Sequence, residues 1–196
     1  MYPPGKGDTM ARLIYCSFAS LDGYIADENG DFGWAVPDAR VHAFANELQR
    51  GAGTHLYGRR LYEAMTAWET DPDLAGQSPE AREFALDWQA ADKIVYSRAL
   101  ASPVTARTRI EREFTAEPVR ELKITAERDL IIGGAELAAH ALRAGLVDEC
   151  QVFVCPMVVG AGKRYLPERL RTRLDLLEQR GFGNGMVYLR YRVTGS

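Results

Sequence analysis

Residues 129–142, DLIIGGAELAAHAL, carry an apolar run straight through two glycines into an alanine-rich helical pattern. A strand that turns into a helix across a bare glycine pair points unpaired N–H groups, backed by the helix dipole, at whatever lies above it. Phosphate suits that position. A tight turn that simply needs glycine is the competing reading. The rest of the chain has to decide between them.

The same alternation runs along the sequence. RLIYCSFAS (12–20) reads as a strand with no helical period, and it ends in SLDGYIADENGDFG, a loop dense in Asp, Asn and Gly. Pro37 is expected to open a helix in which Val41, Phe44, Ala45 and Leu48 form one buried face. GAGTHLYG (51–58) is a second strand leading into RRLYEAM, and Ser78-Pro79-Glu80 starts a helix whose stripe is Ala81, Phe84, Ala85 and Trp88. DKIVYS (92–97) is a third strand, TARTRIERE (105–113) a half-exposed one, and a helix is expected over about 117–127. After the helix at 135–144, DECQVFVCPMVVG (148–160) forms a long strand broken at Pro156. LDLLEQRGF and MVYLRYRV flank Gly183-Asn184-Gly185, an antiparallel hairpin signal. The pattern predicts an α/β protein: a mainly parallel sheet covered on both faces and finished by an antiparallel pair. Residues 1–10 are expected to form a loose arm and 11–196 one domain.

Bulk composition excludes several classes. The 46% hydrophobic and 26% charged content is ordinary for a globular chain, and no apolar run spans a bilayer. A net charge of −3 argues against a general nucleic-acid binder. Cys16, Cys150 and Cys155 form no CxxC pair, which suggests buried thiols in a reducing cytoplasm. His42, His55 and His140 are not at metal-ligand spacing, so no metal is expected.

Two nucleotide motifs fail on inspection. A Rossmann GxGxxG belongs after the first strand, where this chain has SLDG. GAGKRY (160–165) lacks the first P-loop glycine, since position 157 is Met, and has Arg164 where the magnesium-binding hydroxyl belongs. Separate strand ends carry the right groups instead. Gly58-Arg59-Arg60 follows the second strand, Ser97-Arg98 the third, and Gly133-Gly134 the later one. Arg suits bidentate phosphate binding, and in a parallel sheet these ends share the carboxyl edge where ligands bind. Each alone also reads as a solvated charge; together they suggest two separated phosphate sites.

In order, SLDGYIADENG, YGRRLYEAM, KIVYSRAL, LIIGGAELAAHAL and GLVDECQVFVCPMVVGAGKRYL resemble the dihydrofolate reductase-like superfamily over about residues 11–193. The sequence is most similar to the reductase domain of the riboflavin-pathway bifunctional deaminase-reductase (RibD C-terminal domain-like proteins). The resemblance implies a three-layer α/β/α fold with a mostly parallel mixed sheet, and a cytoplasmic, homodimeric NADPH-dependent reductase acting on a small heterocycle. It places Gly58, Arg59 and Arg60 at the cofactor phosphates and Ser97 with Arg98 at the 2′-phosphate. Ile132, Gly133, Gly134, Ala135 and Glu136 would lie at the pyrophosphate and nicotinamide, and Phe18, Ala19 and Ile25 would border the nicotinamide.

The chain also departs from its relatives. The zinc-deaminase signatures HxE and PCxxC are absent from this sequence. The acidic residue that typically precedes the glycine pair is replaced by Ile132, as in folate reductases. The carboxylate that folate reductases carry on the first helix has Asp38 near it but out of register, and gap-free counting lands on His42. Asp22 is the candidate for substrate orientation or proton delivery, against a plain Asp-Gly turn. Trp34 either walls the substrate pocket or caps the core, and Gly160 in GAGK either approaches substrate or turns the chain. Dihydrofolate reductase activity and a non-catalytic NADPH-binding protein remain the alternatives. The alternation of Val187, Leu189, Tyr191 and Val193 suggests an outer strand shared across a dimer.

Overall fold

A computed structural model describes residues 10–195. Apart from Met10, the expected N-terminal arm lies outside the described residues. The strands are β1 (Leu13–Ser20), β2 (Tyr24–Ala26), β3 (Ala52–Gly58), β4 (Asp92–Tyr96), β5 (Thr108–Glu111), β6 (Asp129–Gly133), β7 (Glu149–Cys155), β8 (Lys163–Arg164), β9 (Arg173–Gly181) and β10 (Val187–Gly195). The helices are α1 (Ala39–Arg50), α2 (Arg59–Met65), α3 (Ala67–Thr70), α4 (Pro72–Gly76), α5 (Pro79–Ala90), α6 (Ala116–Thr125) and α7 (Ala135–Arg143). Eight strands form one sheet in the order β5-β4-β3-β6-β1-β7-β10-β9, while β2 and β8 pair separately. From β5 to β7 every neighbour is parallel; β10 joins β7, and β9 joins β10, antiparallel. The architecture is the dihydrofolate reductase-like three-layer α/β/α fold expected from the sequence.

Period-two alternation assigns each strand residue to one layer. Leu13, Tyr15, Leu56, Ile94, Leu130 and Ile132 face a core closed by α6 and α7, with Val119, Leu137, Ala138 and Ala141 among its buried members. The opposite parity packs under α1 through Val41, Phe44, Phe153 and Tyr188, and under α2 and α5 through Tyr57, Tyr62, Trp88 and Val95. At the amino edge of the sheet, buried Glu149 binds Arg190 through both carboxylate oxygens, at 2.7 and 2.9 Å, and Arg12 at 2.7 Å. Burial pushes the Glu149 carboxyl up, yet these donors and Gln151 hold it below its ordinary value.

Several boundaries differ from the sequence reading: the strand expected over 105–113 narrows to Thr108–Glu111, and the helix expected over about 117–127 is Ala116–Thr125. Asp38, not Pro37, opens α1: its carboxylate accepts from Val41 N at 2.9 Å as the N-cap. β7 stops at Cys155, so residues 156–162 form a loop rather than a continued strand. The short pairing of β2 with β8 was not legible, because two- and three-residue strands carry no periodicity.

Beneath β3 lies a buried polar chain. Trp88 Nε1 donates to the Tyr57 hydroxyl at 3.1 Å, and the same hydroxyl shares a hydrogen bond with His55 Nδ1 at 3.0 Å. Both groups are buried, which favours a neutral imidazole. Burial, with the charges of Lys93 and Arg128, pushes its pKa down from 6.5 to about 4. The unfolded chain then binds more protons than the folded one between those two values, so stability falls as pH drops through that window. The gap corresponds to about 3 kcal/mol. Urea midpoints measured from pH 7 to pH 4 should fall accordingly, and His55→Asn should flatten the slope; an unaltered slope would contradict a neutral His55.

Candidate active site

Strand ends meet along one edge of the sheet. Gly58 aligns with Tyr96 and Tyr57 with Gly133, which sets the ends of β3, β4 and β6 level. Tyr15 aligns with Ile132, so β1 runs on past Gly133 beside β7 as far as Ser20. The step leaves the end of β6, with its glycine pair, short of the part of β1 that carries Phe18 and Ala19. Gly58–Arg60, Ser97–Arg98 and Gly133–Glu136 all come to this edge.

Gly133 is bare for a steric reason. A Cβ there would stand 2.5 Å from Leu61 Cδ2 and 3.1 Å from the Tyr57 ring. Gly134 holds φ at +89° as the N-cap of α7, and no side chain caps that helix. Its first intrahelical bond runs from Ala138 N to Gly134 O, so the first-turn N–H groups lack intrahelical acceptors. Helices α1 and α5, by contrast, are capped by Asp38 and Ser78. A diphosphate fits the α7 terminus: it supplies the acceptors and the negative charge that the dipole favours.

The cations are arranged unequally. Arg59 lies 3.7 Å from Glu63 on its own helix, an exposed contact of little strength. Arg60 is exposed and has no ion pair among the described residues. Arg98 pairs with exposed Glu113 at 3.1 Å. The Ser97 hydroxyl accepts from Ala99 N and Leu100 N, closing the turn that carries Arg98. Arg112 donates to the carbonyls of Ser97 and Leu100 at 3.0 and 2.7 Å and braces the same turn. Sequence reasoning missed it, since in TARTRIERE it is one charge among many.

Several side chains are committed elsewhere. Ile132 is fully buried in the α6–α7 core and Ala19 is 2% exposed, so both are core residues. Phe18 stacks on Phe153 with centroids 4.6 Å apart, and Ile25 packs against the core. The exposed Asp38 carboxylate caps α1 through Oδ1. His42 lies against Trp68 and Phe84. Trp34, like Phe18, packs against the core under α1, and its Nε1 is buried without an acceptor.

Asp22 needs correcting as a proton donor. Its carboxylate accepts from Ser20 Oγ at 2.6 Å, Val159 N at 3.1 Å and Gly160 N at 2.7 Å. Those bonds, the Ser20 one foremost, hold its pKa at about 2. It remains a carboxylate at neutral pH and has no proton to give. Its work is to tie the loop 156–162 to the β1–β2 turn. Gly160 is held by that bond, and Gly162 presses on the Ala26 and Asp27 backbone so closely that no Cβ fits. No helix among the described residues is long and apolar enough to cross a membrane.

Fold and site together define an α/β protein whose arginine-bearing and glycine-bearing strand ends share the carboxyl edge of its sheet. The chain belongs to the RibD C-terminal domain family, which matches residues 11–188. It is 28% identical over 191 residues to the uncharacterized protein YyaP of Bacillus subtilis, covering 94% of this chain and 96% of that one. It is 29% identical over 178 residues to the riboflavin biosynthesis protein RibD of Mycobacterium tuberculosis, covering 83% of this chain but only 49% of the relative. Among solved structures, a pyrimidine reductase-like protein of Corynebacterium diphtheriae superposes with a TM-score of 0.65 at 14% identity, covering 95% of this chain and 93% of that one. The bifunctional deaminase/5-amino-6-(5-phosphoribosylamino)uracil reductase of Thermotoga maritima gives 0.61 at 17% identity, over 94% of this chain and 57% of that one. Those structural likenesses show the fold.

Proposed function

We propose that this protein is an NADPH-dependent reductase of the riboflavin-pathway type, transferring hydride to a pyrimidine- or pterin-like heterocycle or its ribosyl imine. The observation that carries the reading is the uncapped, glycine-led start of α7, level with arginine-bearing strand ends, in a chain of the RibD C-terminal domain family. NADPH, when bound, supplies the hydride. The α7 N–H groups and Arg60 would hold its pyrophosphate, and Arg59, Ser97 and Arg98 its 2′-phosphate. Gly133 and Gly134 would leave room for close approach at the end of β6, and Phe18 and Ala19 would bound the nicotinamide side. Trp34 Nε1 offers the substrate a hydrogen bond, while Asp22 fixes the loop beside it. With Asp22 locked as a carboxylate, the proton comes from water at this edge of the sheet.

Quenching of tryptophan fluorescence by NADPH is the direct check, and no binding into the millimolar range would end the reading. Loss of Arg59 and Arg98 together, as alanines, should narrow the NADPH-over-NADH preference by about tenfold or more, since each charge-assisted bond contributes about 1.5–3 kcal/mol. An unchanged ratio would remove both from the 2′-phosphate site. Ile132, fully buried where relatives carry an acid, favours a second reading, a non-catalytic NADPH-binding protein. Binding without oxidation across aminopyrimidine-ribosyl and folate substrates would select it.

We also infer a homodimer. Leu189, Tyr191 and exposed Val187 on β10, with Leu176 on β9, share the sheet face on which β10 pairs with β7 beyond the reach of α7. Sedimentation at micromolar concentration should give a dimer, and a monomer alone would refute it.

A further inference from the structure

Glu136 poses a problem for any anionic ligand. It sits in the first turn of α7, beside the N–H groups that the nucleotide reading assigns to a pyrophosphate, and its carboxylate is exposed. An acidic side chain there suits the helix dipole but repels an arriving diphosphate. The structure supplies a counter-charge from elsewhere in the chain: Lys163 Nζ donates to Glu136 Oε1 at 2.8 Å, across 27 positions of sequence. Lys163 is the dominant influence holding the Glu136 carboxyl down, ahead of Arg60 and His140.

The ammonium is delivered by a loop with little freedom. Asp22 accepts from Val159 N and Gly160 N, and Gly162 is seated on the Ala26–Asp27 backbone. Ala26 then pairs with Lys163 and Tyr24 with Arg164, while Tyr165 N donates to Gly23 O at 2.8 Å. A surface pair with side chains 34% and 75% exposed contributes little to folding, so such anchoring is out of proportion to any stability it brings. We propose that Lys163 is an electrostatic positioning residue: it neutralises Glu136 at the α7 terminus so that the diphosphate of a dinucleotide can dock on the helix N–H groups. The proposal rests on the nucleotide reading above and adds to it a role for the GAGK segment.

A double-mutant cycle read as the dissociation constant for NADPH, by tryptophan quenching of the full chain, tests it. Lys163→Gln should weaken binding about five- to tenfold, as expected for an unshielded like charge at a binding rim. Lys163→Arg should bind like the wild type. Glu136→Gln should bind at least as tightly as the wild type, and the double variant should match Glu136→Gln within about twofold, showing full coupling. Circular dichroism melting of each variant separates binding from folding. If Lys163→Gln costs the same factor with Glu136 present or absent, Lys163 contacts the phosphate itself and the shielding role is wrong. An unchanged constant for Lys163→Gln also overturns it. Wild-type protein that fails to bind NADPH would instead overturn the nucleotide reading, and this inference with it.

Discussion

Gly162→Ala is expected to release the 156–162 loop from the body of the protein. A Cβ at this position would lie 2.2 Å from the Ala26 carbonyl oxygen and 2.6 Å from the Asp27 carbonyl carbon, both of them backbone atoms with no rotamer to yield. The φ of +137° adds a conformation that L-residues rarely adopt. Backbone strain of this kind costs about 1–3 kcal/mol before any collision is counted. The cheapest relief is for the loop to lift, which breaks the bonds from Val159 N and Gly160 N to Asp22 and withdraws Lys163 from Glu136. Amide exchange at Val159 and Gly160 should accelerate about a hundredfold or more if the opening free energy falls by about 3 kcal/mol. The β1 and β6 amides should stay protected. Unaltered exchange at those two amides would show that the loop is not held by this packing.

The second large effect is expected at Gly133→Ala, where the obstruction falls between the end of β6 and the start of α2. The new methyl would meet Leu61 Cδ2 at 2.5 Å and the Tyr57 ring at 3.1 Å. Leu61 can rotate, but Tyr57 is held by Trp88 and His55, so the displacement passes into α2. Leu61 directly follows Arg60, and a shift of that helix start moves the guanidinium away from the α7 terminus. Overpacking of a close contact costs about 1–3 kcal/mol of stability. NADPH affinity should fall by at least about tenfold beyond what the loss of stability explains, because both halves of the proposed phosphate site move. Melting temperature and dissociation constant measured on the same samples separate the two losses. A variant that binds NADPH like the wild type would mean that the ligand does not use this edge.

The contrast between these two glycines says what the sequence can disclose. Gly133 stands out in the sequence between a clear strand and a clear helix, but the packing of Leu61 and Tyr57 that keeps it bare was not legible there. Gly162 lay in GAGK, where nothing local signals that the backbone of residues 26 and 27 presses against it from across the sheet. The α/β alternation was readable because periods of two and 3.6 are imposed by burial within each element. The roles of Asp22 and Asp38 were not, because a carboxylate that caps a helix or ties down a loop has the same letter as one that meets a substrate. Only the N–H donors at Val41, Val159 and Gly160 distinguish them. Lys163 was hidden for the same reason, its partner Glu136 being distant in the chain.

Titration of isotopically labelled protein with NADPH, followed by backbone amide shifts, tests the central claim most directly. The account predicts that the largest shifts fall on Gly134, Ala135 and Glu136 and on Gly58 to Arg60, with smaller ones at Ser97 and Arg98. Shifts confined to other surfaces, or none into the millimolar range, would contradict it.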